Sequence, residues 1–382
     1  MCGFVGYTNL KESINKDKAL ITKMNNTLSR RGPDEDGYYI NDNIALGHKR
    51  LIVIDPENGK QPMIESFSSG NYVICYNGQI YNTKELKENL KQNGFNLKSR
   101  SDTEILLKSY ILYGNNVVNH LNGIFAFAIW NEAKKELFVA RDHMGVKPFF
   151  YTLKNNTLIF ASEIKAIFEY PGVEKILDSQ GISELFGIGP AHTPGTTIFK
   201  EILEIKPGHY GIFNSSGLHI NQYWKLETRK HTDNFAQTCD NLKYLLKDSI
   251  TSQLVSDVPL CTFLSGGLDS SIITKFASDY FREKNSSTLD TYSVDYVDND
   301  KNFVKSDFQP NSDNYYIELI SKKLRLNHHK IIIDTPELAK YLEDAMIARD
   351  MPGMADIDSS LLLFCKNVKK EKTVALTRRM CR

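Results

Sequence analysis

The 382-residue sequence has few cysteines, no strong excess of either charge and no long apolar run. Six cysteines without a Cys-x-x-Cys pair are too sparse for a disulfide scaffold, so reduced thiols in a cytoplasmic protein fit best. With 47 basic and 46 acidic residues, the net charge of +1 argues against a binding surface for nucleic acid or acidic membranes. The longest apolar run, Ile124 to Trp130, is too short to cross a bilayer. Neither secretion nor membrane insertion is indicated.

The composition that remains is typical of a folded globular protein, with 41% hydrophobic and 24% charged residues. The length predicts two or three domains. From Phe4 to about Trp224, short apolar segments alternate with turn signals, which predicts a strand-rich α+β domain. Helices are expected over about Asp17 to Ser29 and from Ser101, where Ser101 and Glu104 form a capping-box pattern.

The polar stretch 225–237 carries little apolar material and is interpreted as a linker between domains at 2–224 and 238–382. The second domain shows the order strand, loop, helix, strand, which predicts a parallel α/β sheet. Its segments are a helix from Phe235 to Leu254, a strand from Pro259 to Leu264, a helix from Ser270 to Phe281, a strand from Thr291 to Tyr296 and an insertion loop from Lys301 to Tyr315.

Cys2 is a candidate nucleophile because a small second residue generally permits removal of the initiator methionine. The free α-amine and the thiol would then belong to one residue, with ordinary pKa values near 7.7 to 8.0 and 8.5. At neutral pH the amine can take the thiol proton, directly or through water. Alone, a cysteine at position 2 is a weak signal that is better explained as accidental.

Further motifs follow Cys2 in a fixed order. They are Arg30-Arg31-Gly32-Pro33-Asp34, the stretch from His48 to Asp55, the stretch from Tyr76 to Asn82, Ser101 to Glu104, Ala140 to Phe149, and Ala161 to Ala166. In order and spacing they resemble the N-terminal-nucleophile glutamine amidotransferases, specifically the glutaminase domain of asparagine synthetases, over essentially all of residues 2–224. The resemblance implies an αββα sandwich.

An amidase of this kind must bind a zwitterionic amino acid and stabilise an oxyanion. Arg50 can hold the glutamine α-carboxylate, and Asp102 can accept its α-ammonium. The side chain of Asn77 and the backbone N–H of Gly78 resemble the oxyanion donors. The family usually has Glu where this chain has Gln79, so we expect weaker glutamine binding but not its loss.

Each of these residues also has a purely structural explanation. Asn77-Gly78 is typical of a tight hairpin turn. Asp102 lies where an acid complements a helix N-terminus, and Arg50 could be a surface cation. Their occurrence together and in register with Cys2 favours the functional interpretation.

A Ser-Gly-Gly-Leu-Asp-Ser-Ser stretch follows the apolar strand of the second domain and opens a helix, an arrangement that favours an anion. An ordinary glycine-rich turn is the structural alternative, and the pattern is not a Walker A loop. It resembles the pyrophosphate loop of ATP pyrophosphatases. The resemblance implies ATP contacts from Leu264, Ser265, Gly266, Gly267, Ser270, Ser271 and Val294, with Asp269 as an Mg²⁺ ligand.

Two other stretches carry weaker signals. Residues 350–360 resemble the amino-acid-activating segment of the family, without roles for single residues. His328 and His329 are adjacent, so they are interpreted as loop or strand residues and not as a zinc site.

After a strand at Thr373 to Leu376 the family continues with Thr/Ser-Gly-Glu-x-x-Asp-Glu and a helical remainder, whereas this sequence reads Thr377 to Arg382. Our hypothesis is a single-base insertion that shifts the reading frame. We therefore expect an incomplete ATP-pyrophosphatase domain without a second metal-binding carboxylate or the catalytic Glu. Such a chain would keep glutaminase activity but not complete the synthetase reaction.

Taken together, the resemblance implies a glutamine-dependent asparagine synthetase that acts on glutamine, aspartate and ATP with Mg²⁺; whether it is a homodimer stays open. Two alternatives also stay open. One is an amidotransferase of the same architecture with another carboxylate acceptor, although Cys2 argues against a β-lactam synthetase-like enzyme. The other is a non-catalytic remnant.

Overall fold

A computed structural model describes residues 1–14, 18–285, 287–307 and 311–377. The chain divides into two compact units, Met1–Glu227 and a second that begins at Thr228. Within the described residues, no helix is long and apolar enough to cross a membrane. Residues 378–382, on which the frameshift hypothesis depends, lie outside the described residues.

The first unit is rich in strands, as its sequence pattern predicts. Its strands are β1 (Gly3–Asn9), β2 (Glu35–Ile40), β3 (Ile44–Arg50), β4 (Met63–Phe67), β5 (Gly70–Ile80), β6 (Gly123–Asn131), β7 (Glu136–Arg141), β8 (Phe150–Lys154), β9 (Thr157–Ala161), β10 (Leu203–Glu204), β11 (His209–Asn214) and β12 (Gly217–Gln222). Its helices are α1 (Lys18–Asn26), α2 (Thr83–Gln92), α3 (Asp102–Tyr113), α4 (Ile164–Ile167), α5 (Ser179–Gly187) and a 3₁₀ helix over Gly114–His120.

These strands form two antiparallel six-stranded sheets. The first has the order β10-β8-β9-β1-β3-β2 and the second β12-β11-β7-β6-β5-β4. An apolar layer fills the space between the sheets, while α1 and α4 pack on the outer face of the first and α2 and α3 on the outer face of the second. This is the expected αββα sandwich.

Strand β6 shows how the sequence builds this arrangement. Its continuous apolar run is buried on both sides because both faces of the sheet are covered. Phe125 and Phe127 point to the helices, whereas Ala126, Ala128 and Trp130 point to the other sheet. Successive side chains therefore point to opposite faces of the sheet, with the period of two that a strand imposes.

The structure corrects two local predictions in this unit. Asn77-Gly78 is not a hairpin turn, because β5 continues to Ile80 and pairs with β6 along its length. Ser101 caps α3 by accepting the N–H of Thr103, but Glu104 does not complete a capping box. Its carboxylate instead accepts the backbone N–H groups of Lys98 and Ser99.

The helix expected from Asp17 to Ser29 ends earlier, since α1 stops at Asn26 and residues 27–31 form turns. Asp17 itself lies outside the described residues.

The second unit alternates helices and strands. They are α6 (Phe235–Ser252), β13 (Leu260–Phe263), α7 (Leu268–Asn285), β14 (Asp290–Tyr296), α8 (Asn299–Asn302), α9 (Asp313–Leu324), β15 (Asn327–Ile333), α10 (Thr335–Lys340), α11 (Leu342–Arg349), α12 (Ala355–Val368) and β16 (Val374–Leu376).

The four strands form the expected parallel sheet, in the order β15-β14-β13-β16. Helix α7 covers one face, where Leu260 and Ala277 are buried. Helix α12 covers the other, where Cys261 packs with Phe364. Both faces of β13 are therefore covered, which explains why its sequence is apolar except for Thr262, whose buried hydroxyl is hydrogen-bonded to that of Thr274.

Three boundaries in this unit differ from the predictions. Helix α6 begins at Phe235 as predicted, where Asn234 and Gln237 form a full capping box, but it ends at Ser252 rather than Leu254. Helix α7 begins at Leu268 rather than Ser270. The expected loop from Lys301 to Tyr315 contains the end of α8 and the start of α9, which Ser312 caps; residues 308–310 lie outside the described residues.

Candidate active site

Cys2 lies immediately before β1, next to the end of β3. Its Sγ is 3.6 Å from the carbonyl oxygen of Leu51 and 3.4 Å from the Leu51 nitrogen. The Arg31 guanidinium donates to the Cys2 carbonyl over 2.9 Å, and the Met1 amine donates to the Arg31 carbonyl over 3.1 Å. The nucleophile candidate is thus fixed through its backbone and is half-buried.

Strand β5 loses one of its two partner strands close to this point, while β6 stays paired on its other side. Strand β4 pairs with β5 only from Gly70 to Ile74, so the backbone beyond Ile74 faces an edge without a neighbouring strand. Side chains there make the backbone hydrogen bonds that β4 makes to the earlier part of β5. The Tyr76 N–H donates to Gln61 over 2.7 Å, and the Tyr76 carbonyl accepts from His48 over 3.1 Å.

Asn77 and Gly78 follow Tyr76 on this edge. Because backbone groups alternate along a strand, the N–H of Gly78 faces the same open edge as that of Tyr76. The Tyr76 side chain points to the helices on the outer face of this sheet. The Asn77 side chain points to the opposite face, into the space between the two sheets, and is 1% exposed. Its Nδ2 atom has no hydrogen-bond partner among the described residues. A buried amide donor in this state is uncommon and calls for a partner.

Packing by itself explains the glycine at position 78. A Cβ at this position would collide with the Ile124 carbonyl oxygen of β6. The close approach that needs glycine is therefore to the neighbouring strand.

Asp102 lies in the first turn of α3 and contacts the same strand. Its Oδ2 accepts the Tyr76 hydroxyl over 2.8 Å and the Ile80 N–H over 3.1 Å. Burial raises the pKa of Asp102, and the hydrogen bonds from Tyr76 and Ile80 oppose that rise. Gln79 lies between these contacts on β5 and is half-buried.

Tyr76 connects the two halves of the site. Burial raises its pKa well above the usual value, with further contributions from the charges of Asp102 and Cys2. Cys2 and Asp102 therefore both lie within electrostatic range of one phenol group.

Arg50 is buried at the end of β3, so the alternative of a surface cation is wrong. One terminal nitrogen donates to Glu35 over 2.7 Å and to the Pro56 carbonyl, and the other donates to the carbonyls of Ile54 and Asp55. These contacts use its four terminal N–H groups. A substrate carboxylate would have to replace some of them.

The pyrophosphate-loop candidate lies where β13 ends and α7 begins. Ser265 and Ser270 are hydrogen-bonded through their hydroxyl groups over 3.1 Å, and the Ser271 hydroxyl donates to the Gly267 carbonyl. Gly266 has a φ of +78°, which disfavours other residues. The exposed Asp269 carboxylate lies in the first turn of the helix.

The sheet order gives this loop a special position. From β13 the chain proceeds to β14 and β15 on one side and returns as β16 on the other. In open α/β sheets, ligands bind at the carboxyl edge where the strand order reverses. Leu264 is buried just after β13, while the exposed Val294 lies within β14, not at its end.

The other predicted features have structural partners. His328 and His329 lie on β15, where His328 bonds Thr291 and Ser293 and His329 bonds Asp290. Within the described ranges no three His, Cys, Asp or Glu side chains group as a metal site would require. The stretch 350–360 contains the start of α12, where Asp358 pairs with Arg349.

Comparison with known proteins agrees with this organisation. Residues 1–224 match the family model described as a glutamine amidotransferase domain, and residues 241–377 match the model described as asparagine synthase. The chain belongs to the glutamine amidotransferase family. An asparagine synthase domain follows that domain, and the predicted resemblance is confirmed.

Individual relatives are similar along almost the whole of this chain. Glutamine-hydrolysing asparagine synthetase 3 of Bacillus subtilis (strain 168) is 48% identical over 377 residues, which cover 99% of this chain and 61% of the relative. Asparagine synthetase 1 of the same organism is 32% identical over 99% of this chain and 57% of its own length. The chain thus spans about three fifths of the length of these relatives.

Among solved structures, glutamine phosphoribosylpyrophosphate amidotransferase of Bacillus subtilis aligns with a TM-score of 0.45 and 15% identity. The alignment covers 87% of this chain and 81% of that one.

Proposed function

We propose that the first unit hydrolyses glutamine to glutamate and ammonia, with Cys2 as the nucleophile. The observation that carries this proposal is the unpartnered amide of Asn77 beside the open edge of β5. Together with the N–H of Gly78 it supplies two donors for an oxyanion. Such donors are aimed in advance at charge that develops only during the reaction.

The reaction follows from these groups. Once Met1 is removed, the α-amine of Cys2 accepts the thiol proton, and the thiolate attacks the glutamine side-chain carbonyl. The C–N bond of the tetrahedral intermediate breaks as the nitrogen takes the proton, which releases ammonia and leaves a thioester. Water then hydrolyses the thioester, releases glutamate and restores the thiol.

The substrate is held by charge. Asp102 accepts the glutamine α-ammonium with an oxygen not used by Tyr76 and Ile80, and Gln79 assists as a neutral acceptor. Arg50 binds the α-carboxylate after it exchanges its present contact with Glu35 for the substrate. The charge of the group that faces Arg50 does not change in this exchange, because one carboxylate replaces another.

We propose that the second unit belongs to an ATP-dependent synthetase that adenylates aspartate, so that ammonia can displace AMP and form asparagine. The loop from Leu264 to Ser271 holds the phosphates, with Val294 near the adenine or ribose. The exposed carboxylate of Asp269 beside this loop suits Mg²⁺, which usually takes one or two carboxylates plus phosphates. When bound, Mg²⁺ would neutralise charge on the phosphates.

The acceptor and the setting are part of the same proposal. Aspartate is favoured over another carboxylate because the second unit matches the asparagine synthase model. The free cysteines of the described residues favour the cytoplasm as the compartment of this reaction.

The test measures ammonia from glutamine with the 382-residue chain and its Cys2→Ala variant. AMP and pyrophosphate are measured in the same samples, with and without ATP, Mg²⁺ and aspartate. Ammonia release that disappears in Cys2→Ala supports the glutaminase. AMP formed together with asparagine supports the synthetase, and no ammonia in any sample contradicts the first proposal and favours a non-catalytic remnant.

A further inference from the structure

His48 is a buried group near the site that the proposed chemistry does not use. It lies on β3 in the space between the two sheets and is fully buried. Its Nε2 atom is 3.1 Å from the carbonyl oxygen of Tyr76 on β5, in the opposite sheet. The contact therefore joins the strand beside Cys2 to the strand that carries Asn77 and Gly78.

The hydrogen-bond chemistry fixes the state of this ring. A carbonyl oxygen can only accept, so Nε2 must carry the hydrogen. Burial lowers the pKa of His48 to about 4, so the ring is neutral near pH 7. Its Nδ1 atom is buried without a hydrogen-bond partner in the described part of the chain.

The contact lies at the point on β5 where the backbone has lost its neighbouring strand β4. Where β4 stops pairing, Gln61 accepts the N–H of Tyr76 and His48 donates to its carbonyl. These two side chains make the hydrogen bonds to Tyr76 that a neighbouring strand would otherwise make. Two residues further along the same edge, Gly78 keeps its N–H directed outward.

We propose that His48 is a positioning residue that, with Gln61, holds the backbone of Tyr76 and thereby aims the oxyanion donors of Asn77 and Gly78. The inference rests on the proposed glutaminase activity and deepens it. His48 touches neither substrate nor the reacting atoms. Its effect should therefore appear where the oxyanion forms and not where glutamine first binds.

The test compares three substitutions of His48 in glutamine hydrolysis. His48→Gln places an amide N–H near the position of Nε2, whereas His48→Asn carries the same group on a shorter side chain and cannot reach Tyr76. His48→Leu removes the donor. We expect His48→Asn and His48→Leu to lower kcat about 10- to 100-fold, as small misplacements in active sites do, with KM nearly unchanged. His48→Gln should recover most of the lost rate.

A second readout separates positioning from general damage. The γ-aldehyde of glutamate adds to a thiol as a tetrahedral oxyanion or hemithioacetal, whereas glutamate binds without that step. The inhibition constant of the aldehyde should rise in parallel with the loss in kcat, while that of glutamate stays constant. If His48→Leu fails to fold, Gln61→Met removes the other contact to Tyr76 and should change the same quantities.

The outcomes are distinct. If the unsubstituted chain is active and His48→Asn matches His48→Gln in rate, or aldehyde binding does not change, the positioning role is overturned. If the variants raise KM and leave kcat intact, His48 acts on substrate binding and the inference is again wrong. If the unsubstituted chain releases no ammonia, the proposed function fails and the inference falls with it.

Discussion

At the residue scale, Asp102 shows how burial can set the pH dependence of substrate binding. Its pKa is raised by burial and held down by the hydrogen bond from Tyr76. As the pH falls through this raised pKa, the carboxyl group becomes neutral and no longer attracts an α-ammonium. We therefore expect KM for glutamine to rise at acid pH, and to do so at a higher pH than for an ordinary aspartate.

The Tyr76→Phe variant tests this cause. It removes the hydrogen bond that lowers the pKa of Asp102, so the acid rise in KM should move towards neutral pH. KM measured between acid and neutral pH would show the shift. Tyr81→Phe makes the same change at the next tyrosine along the chain and should leave the profile in place. Identical profiles for Tyr76→Phe and the unsubstituted chain would contradict the assignment of Asp102 as the group whose charge controls KM.

Gln79 gives a second prediction at this scale. A carboxylate accepts a hydrogen bond from an ammonium group more strongly than an amide does, by about 1 kcal/mol. The Gln79→Glu variant should therefore lower KM for glutamine about fivefold, with kcat unchanged. Gln79→Met, of similar size and without an acceptor, should raise KM. A KM that is the same in all three chains would place Gln79 outside the ammonium site.

At the element scale, the comparison of sequence and structure separates local from distant causes. Continuous apolar runs such as that of β6 predict buried strands correctly, since the pattern depends only on the segment itself. Asn77-Gly78 carries a local turn signal, but pairing with β6 as far as Ile80 overrides it. His48 and Gln61 were given no role because their partner, Tyr76, lies 28 and 15 residues away in the chain.

The loop between β13 and α7 offers a matched pair of glycines. Gly266 has a φ of +78°, and a Cβ there would lie 2.8 Å from the Asp313 carbonyl oxygen. Gly267 has no positive φ, and its nearest neighbour for a Cβ is 3.6 Å away. Gly266→Ala should destabilise the second unit by about 1 kcal/mol or more, whereas Gly267→Ala should stay within about 0.5 kcal/mol.

Denaturant unfolding measures both free energies. ATP binding measured by calorimetry then separates the roles of the two positions. If Gly267→Ala is stable but binds ATP more weakly, the loop contacts phosphate as proposed. Equal stability of the two variants would contradict the conformational argument for Gly266.

At the scale of the whole molecule, the two units are joined by a segment without secondary structure. Residues 223–234 belong to no helix or strand and are largely exposed, and they include Lys225, Arg229 and Lys230. Exposed segments of this kind are preferred sites of proteolysis. Brief trypsin treatment should therefore cut the chain here before it cuts either unit.

The isolated first fragment then tests where glutamine hydrolysis resides. Every residue assigned to that reaction, from Cys2 to Asp102, lies before the cut, so the purified fragment should still release ammonia from glutamine. The same fragment from the Cys2→Ala chain should release none. Circular dichroism establishes whether the fragment stays folded. A folded fragment without activity would mean that the residues from Cys2 to Asp102 are insufficient and that glutamine hydrolysis also needs the second unit.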